Sequence, residues 1–390
     1  MSRESGISFF AFPTRIVFGA GAIRELGGEA RLLGIERPLL VTDRGIVQCG
    51  IADRIIEEGK RSGLSLTLYD GVNPNPVEQN VLQGLEIYRA GKCDGIIGLG
   101  GGSPLDAAKA IRLCVTHSLP LEQYDDQLNG GATISPNVPP LIAIATTSGT
   151  GSEVGRSAVI VLQATNRKTV IFSPYLIAGV ALADPELTLG MPPGITAGTG
   201  LDALAHNVEA YLAKGYHPMC DAIALQGTRL VVRHLAKAVH NGKDLDARTH
   251  MMMAAIMGAV AFQKGLGAVH SLAHPLSNMA GLHHGTVNGI LMPPVLEFNR
   301  LQSEERLRDL AVAMDLDVSH LRPDEAASAA IERIRQLLKE VDMPDRLSLL
   351  GIRREMIPAL AKQAMEDACH LLNPRPCTEA DMMALYERAL

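Results

Sequence analysis

Asp202 and His206 stand four residues apart in the segment LDALAHNVEAY. The segment reads as a helix, where that spacing puts both side chains on one face, about one turn apart. His270 and His284 bracket HSLAHPLSNMAGLHH further along the chain. One carboxylate with three imidazoles is an oxygen–nitrogen donor set that suits a first-row divalent metal such as iron or zinc. Local spacing leaves His270, His274, His283 and His284 all open as members of that set. His270 does not begin an HExxH motif, because Ser271 and Leu272 follow it, so the zincin arrangement is excluded.

A second group of residues suits a phosphate. GLGGGSPLDAAKAI (98–111) follows an apolar run and opens a helical pattern. Three successive glycines let backbone approach a ligand closely. Ser103 suits the N-cap and Pro104 the first helical position. The helix N-terminus behind them is an anion site fit for a pyrophosphate. The loop is neither GxGxxG nor GxxxxGKS, and a plain strand-to-helix turn is the alternative reading. Asp43 ends the run LLVTD. A carboxylate there can accept from both ribose hydroxyls of an adenine nucleotide and repel a 2′-phosphate, favouring NAD over NADP; the alternative is a helix-capping Asp. TTSGTGSE (146–153) is a small, hydroxyl-rich loop suited to wrapping a cofactor or simply turning the chain. Lys168 on the following hairpin is a candidate contact to a phosphate or ribose, with a solvated surface charge as the alternative.

The elements that must position these residues fall into two kinds. RPLLVTD (37–43), LSLTLYD (64–70), DGIIGLG (94–100) and PPLIAIATT (139–147) read as buried strands separated by helical patterns. That alternation predicts a doubly wound, Rossmann-like parallel sheet with helices on both faces. Ligands of such sheets bind beyond the carboxyl ends of the strands. SAVIVLQATNRKTVIFSP (157–174) predicts a hairpin turning at ATNRK. Beyond MPPG (191–194) the pattern is helical, with methionines as packing filler. The expected division is an α/β domain over 1–190 and an all-helical domain over 191–390.

Composition narrows the function classes. A net charge of −6 gives no electrostatic reason to expect nucleic acid. No apolar run approaches the ~20 residues that span a bilayer, so no membrane partner is expected. The N-terminal apolar patch is broken by Pro13 and Arg15 and lacks the form of a signal peptide. Six cysteines without a CxxC pair point to reduced thiols and a cytoplasmic location.

FGAGAIRELG, VTD, DGVNPNP, GLGGGSPLDAAKAI, TTSGTGSE, LADPELT, GLDALAHNVEAY, GAVHSLAHPLSNMAGLHHG and NPRP occur in this order along nearly the whole chain. In this the sequence resembles the iron-containing (group III) alcohol dehydrogenase family. The resemblance implies a dehydroquinate synthase-like architecture and Asp202, His206, His270 and His284 as ligands of Fe(II), which Zn(II) can replace. It implies cofactor contacts at Asp43, Asn75, Gly101, Gly102, Ser103, Thr146, Thr147, Thr150 and Lys168, with NAD as coenzyme rather than NADP. It places His274 near nicotinamide and substrate, as the candidate to pass a proton to solvent. It also implies a homodimer, with SFFAFPTRIVFG suited to pairing with the partner's strand. Two positions depart from the family's pattern: Gly179 stands where a proline is frequent, and Arg156 follows TSGTGSE where a small or polar residue is expected.

The chemistry these residues support is hydride transfer between a small alcohol or aldehyde and nicotinamide C4, with the substrate oxygen polarised by the metal. A metal-dependent hydrolase or a lyase on the same fold is the alternative. The Asp202/His206 pair argues against a dehydroquinate synthase, and the complete ligand set against a metal-free maleylacetate reductase. A hydrolase would leave the glycine loop and Asp43 without a role.

Overall fold

The computed structural model describes residues 10–12, 14–163 and 167–390. The strands found among them are β1 (Arg15–Phe18), β2 (Pro38–Val41), β3 (Thr67–Tyr69), β4 (Gly95–Gly100), β5 (Leu141–Ala145), β6 (Ser157–Leu162), β7 (Arg167–Phe172) and β8 (Val180–Ala183). Six of them form a parallel sheet in the order β1-β8-β5-β4-β2-β3, as the alternation of strands and helices predicts. Its central strands are buried at every position, the state of a sheet covered on both faces. Successive side chains then feed two cores. Leu39, Val41, Ile96 and Ala143 enter one, with α4 (Glu78–Ala90) and α5 (Gly102–Thr116) packed on it. Leu40, Ile97, Leu99 and Ile142 enter the other, under α1 (Leu26–Leu32) and α3 (Ile51–Arg61). The short α2 (Arg44–Gln48) follows β2.

Some strand limits and the strand count differ from expectation. β2, β3 and β5 are shorter than the runs 37–43, 64–70 and 139–147. β1 and β8 belong to the sheet as well, although four residues each are too few to show a period. β1 uses the RIVF of the segment expected to pair across a dimer, and pairs it in parallel with β8 of its own chain. Residues 8, 9 and 13 of that segment lie outside the described residues. The hairpin forms between β6 and β7, from Ser157 opposite Phe172 to Leu162 opposite Arg167. Residues 164–166 of its expected turn also lie outside the described residues.

The helices after the sheet are α6 (Pro193–Leu212), α7 (Pro218–His240), α8 (Leu245–Ala261), α9 (Ala268–Met279), α10 (His284–Ala313), α11 (Pro323–Glu340), α12 (Ile357–Glu366) and α13 (Glu379–Ala389). α6 is buried at every residue from Thr196 to Leu212, so neighbouring helices enclose it. The chain divides into compact units between Gly190 and Met191, beside the MPPG segment. Residues 10–12, expected in the first domain, group instead with the helical unit. There Ala11 N donates to Gln263 Oε1 at 2.9 Å, and the Phe10 ring meets His217 edge-on. Among the described residues no single helix is long and apolar enough to cross a membrane.

Candidate functional site

In the helical unit, α6 presents Asp202, His206 and Glu209 at successive turns of one buried face. Two further helices bring their N-terminal turns to that face. α10 approaches through Gly285, where a Cβ would lie 2.0 Å from Gly198 O and 3.0 Å from Asp202 Cβ. Only glycine permits that contact, and it sets His284 Nε2 3.6 Å from Asp202 Oδ1. α9 begins after Gly267 with no side-chain cap of its own. Glu209 supplies one, accepting from Val269 N at 2.7 Å and His270 N at 3.3 Å. A carboxylate at this end satisfies free N–H groups and the positive end of the helix dipole.

The same carboxylate accepts from His270 Nδ1. That bond fixes the tautomer and leaves the lone pair on Nε2. His270 Nε2 is buried, has no hydrogen-bond partner, and lies 3.9 Å from Asp202 Oδ1. His206 Nε2 stands at the same 3.9 Å from that oxygen, and the His206 and His270 rings stack with centroids 4.7 Å apart. One ligand atom from each of Asp202, His206 and His270 lies within 4.8 Å of the others. A buried imidazole lone pair without a hydrogen-bond partner, set beside a carboxylate, is a donor arrangement that suits a cation, so these residues fit the iron implied by the resemblance. Burial alone would push the His270 imidazole down, but Glu209 first, then Asp202 and Asp367, raise it above its ordinary value. Negative charge therefore gathers at the place where a divalent ion would compensate it.

The remaining histidines separate by their partners. His283 caps α10, its Nδ1 accepting from Thr286 N at 3.3 Å. His274 is directed to Asp367, Nδ1 to Oδ2 at 2.7 Å, with its ring stacked on His284 at 5.2 Å. Asp367 also accepts from Ser271 Oγ and Cys369 N at 2.7 and 2.9 Å. Burial alone would raise the Asp367 carboxyl, but His274 and these hydrogen bonds hold it far below the usual carboxylate range. His284 belongs to the Asp202 side but not to the tightest group of three. Asn288 Nδ2 contacts it at Nε2 (3.2 Å) while donating to Asp202 Oδ1 at 2.8 Å.

In the α/β unit, the expected nucleotide residues gather beyond the carboxyl ends of adjacent strands. Gly101 is the N-cap of α5 and makes no side-chain cap bond. Ser103 is therefore not the N-cap expected from the sequence, nor Pro104 the first helical residue. Ser103 sits in the first turn, and its hydroxyl donates to Pro74 O, tying the loop of the exposed Asn75 to the start of α5. A Cβ on Gly101 would stand 3.3 Å from Thr147, and one on Gly102 3.0 Å from Thr150. The two loops thus touch, and beside them the buried Thr146 Oγ1 lacks a hydrogen-bond partner. Asp43, after β2, caps α2 by accepting from Ile46 N at 3.0 Å. Lys168 faces Val161 across the hairpin.

The two departures have contacts of their own. The Arg156 guanidinium stands 5.5 Å over the Phe172 ring. Gly179 precedes β8 at its amino end and donates its N–H to Leu141 O at 2.8 Å, a bond that proline could not make.

A model of iron-containing alcohol dehydrogenases matches residues 13–185, and one of the C-terminal domain of the Fe-containing alcohol dehydrogenase family matches residues 196–390. The chain belongs to the iron-containing alcohol dehydrogenase family. It is 41% identical to a 4-hydroxybutyrate dehydrogenase of Cupriavidus necator over 98% of this chain and all of the relative. It is 36% identical to an NAD-dependent methanol dehydrogenase of Bacillus methanolicus, covering 98% and 99% of the two chains. A crystal structure of a 1,3-propanediol oxidoreductase superposes with a TM-score of 0.95 at 37% identity, covering 98% of this chain and all of that one. As a member of this family the chain is an oxidoreductase acting on alcohols and their carbonyl products. Nothing in these likenesses favours the hydrolase or lyase alternative.

Glu209, Asn288 and Asp367 belong to the site yet carry no motif of their own. Glu209 has one signal: it extends the Asp202–His206 face by a further turn. A polar cluster beneath the glycine loop is equally unannounced. Lys109, 1% exposed, donates to Ser152 Oγ and Ser157 O, both at 2.8 Å. Asp106 accepts from Ser152 Oγ at 2.6 Å and Val159 N at 3.1 Å.

Proposed function

We propose that the enzyme interconverts a small alcohol and its aldehyde with NAD, at a ferrous ion held by Asp202, His206, His270 and His284. The observation that carries this reading is the buried, partnerless Nε2 of His270, directed at Asp202 beside His206. Bound there, the ion would supply Lewis acidity toward the substrate oxygen and NAD the hydride-accepting ring. Glu209 orients the His270 ring, and Asn288 holds Asp202. His274, its Nδ1 held by Asp367, has Nε2 left to exchange a proton with the substrate side or solvent. The glycine loop and the 146–150 loop would cradle the pyrophosphate at the α5 N-terminus. Asp43 would accept from the ribose hydroxyls and disfavour a 2′-phosphate. Thr146 Oγ1 supplies an uncommitted polar atom beside these loops.

Zinc in place of iron, a homodimer and a cytoplasmic location belong to the same proposal. The affinity order that places zinc above ferrous iron supports the first. The family resemblance supports the second, and six free cysteines support the third. The relatives named for 4-hydroxybutyrate, 1,3-propanediol and methanol support a short primary alcohol as the substrate class. Metal analysis of anaerobically purified enzyme, with an NAD- and NADP-linked assay over such alcohols and their aldehydes, tests the reading. About one iron or zinc per chain with NAD-linked turnover is expected. Metal-free protein that turns over at full rate overturns the ligand assignment.

A further inference from the structure

A second set of metal-ligand side chains converges in the helical unit, on α7 and α8. Asp246 and His250 stand one turn apart on α8, the spacing that Asp202 and His206 have on α6. His234 comes across from α7. One ligand atom from each of the three lies within 4.8 Å of the others. His234 Nδ1 is 3.9 Å from Asp246 Oδ2, and His250 Nδ1 is 3.5 Å from Asp246 Oδ1. The two imidazole rings lie parallel, 4.0 Å between centroids and 10° between planes.

The three side chains differ in freedom. The His234 side chain is 12% exposed, and its Nδ1 is buried without a hydrogen-bond partner. The Asp246 side chain is 75% exposed and that of His250 37%. One ligand is therefore held by packing and two can swing toward it. His250 Nδ1 donates to the Asp246 carbonyl at 2.8 Å, which leaves its lone pair on Nε2. Tetrahedral zinc with bonds of about 2.0–2.1 Å sets its ligand atoms roughly 3.3 Å apart. The parallel rings must tilt to reach that spacing, and rotation of the exposed Asp246 and His250 side chains provides it. Burial first, then its neighbours His250, Lys237 and Arg233, lower the His234 imidazole below its ordinary value, against the pull of Asp246.

We propose that His234, Asp246 and His250 form a second, solvent-facing site for a borderline divalent cation such as zinc or cobalt(II), separate from the Asp202 cluster. Two imidazoles and a carboxylate leave the fourth position to water. An ion there would clamp α7 to α8, which residues 241–244 connect.

The test adds zinc to the purified enzyme with its first metal retained, and measures binding by equilibrium dialysis and calorimetry. The expected result is a second equivalent per chain. His250→Ala and His234→Ala should each weaken it by roughly tenfold or more, while first-site metal and basal turnover remain. His250, the more exposed histidine, is the substitution least able to disturb folding. Cobalt(II) as a probe should give the visible bands of nitrogen-ligated cobalt at the second equivalent in wild type, and lose them in His250→Ala. No second equivalent in wild type, or one unchanged in both variants, overturns the proposal.

Discussion

One carboxylate, Glu209, organises the metal cluster at the level of single residues. It meets the first N–H groups of α9 and the His270 ring together. Glu209→Gln replaces an acceptor-only group with one that also donates, so it sets an amide against those N–H groups. The fold should survive, and metal affinity should fall by about 10–100-fold, read by dialysis against a chelator; unchanged affinity would show that Glu209 only caps the helix. His270→Ala should lose metal and turnover together and leave NAD binding, followed by fluorescence titration, largely intact. Full metal content in that variant would contradict the ligand set. His274→Ala should keep the metal and slow turnover by roughly 10²–10⁴-fold, shown by metal analysis beside kcat. Much of this site is legible in sequence, because Asp202 and His206 announce themselves by helical spacing and the same face runs on to Glu209. Asn288 and Asp367 are not legible, since they reach the cluster from 86 and 93 residues away from the side chains they bond. No local pattern encodes a contact of that range.

Helix packing carries these side chains, and one of its tightest points is Gly285 against Gly198. Gly285→Ala would force α10 away from α6, because the added carbon would lie 2.0 Å from a carbonyl oxygen. The expected cost is typical of overpacking, about 1–3 kcal/mol, with weaker metal binding because His284 retreats from Asp202. Denaturant unfolding and metal content of the same sample check both halves; a stable variant with normal metal content would show that α10 can shift without moving the site. Elements with long apolar runs are legible from sequence, and β2, β4 and β5 show why: strands covered on both faces carry an unbroken apolar signal. β1 and β8 fail that test because RIVF and VALA are too short. The start of α5 misleads for a different reason. Ser103 has the composition of an N-cap, but its hydroxyl bonds Pro74, a residue no helix rule includes.

The behaviour of the whole molecule with pH is set in part by a carboxyl of the α/β unit. Glu153 is 2% exposed, and burial pushes it up to about 7 against the pull of Lys109. Asp106 is raised by burial, with Lys109 and Lys168 opposing, and burial lowers Lys109 while Asp106 and Glu153 pull it up. Arg112 is the other cation near Lys109. In the unfolded chain Glu153 titrates at its ordinary value of 4.5. The folded state therefore binds the Glu153 proton more tightly than the unfolded state does. Its contribution to stability is fully present below the unfolded value and declines as pH rises through the window from 4.5 to about 7. Glu153→Gln keeps the shape and removes the titration. Its melting temperature should hold more level than that of wild type across this window, and should exceed wild type's at pH values above it. Loss of the Glu153 charge leaves Lys109 with its bonds to Ser152 and Ser157, so the helix start beneath the glycine loop stays anchored. Parallel melting curves for the two proteins across the window would mean that Glu153 is already ionised when folded, with Lys109 as its fully charged partner.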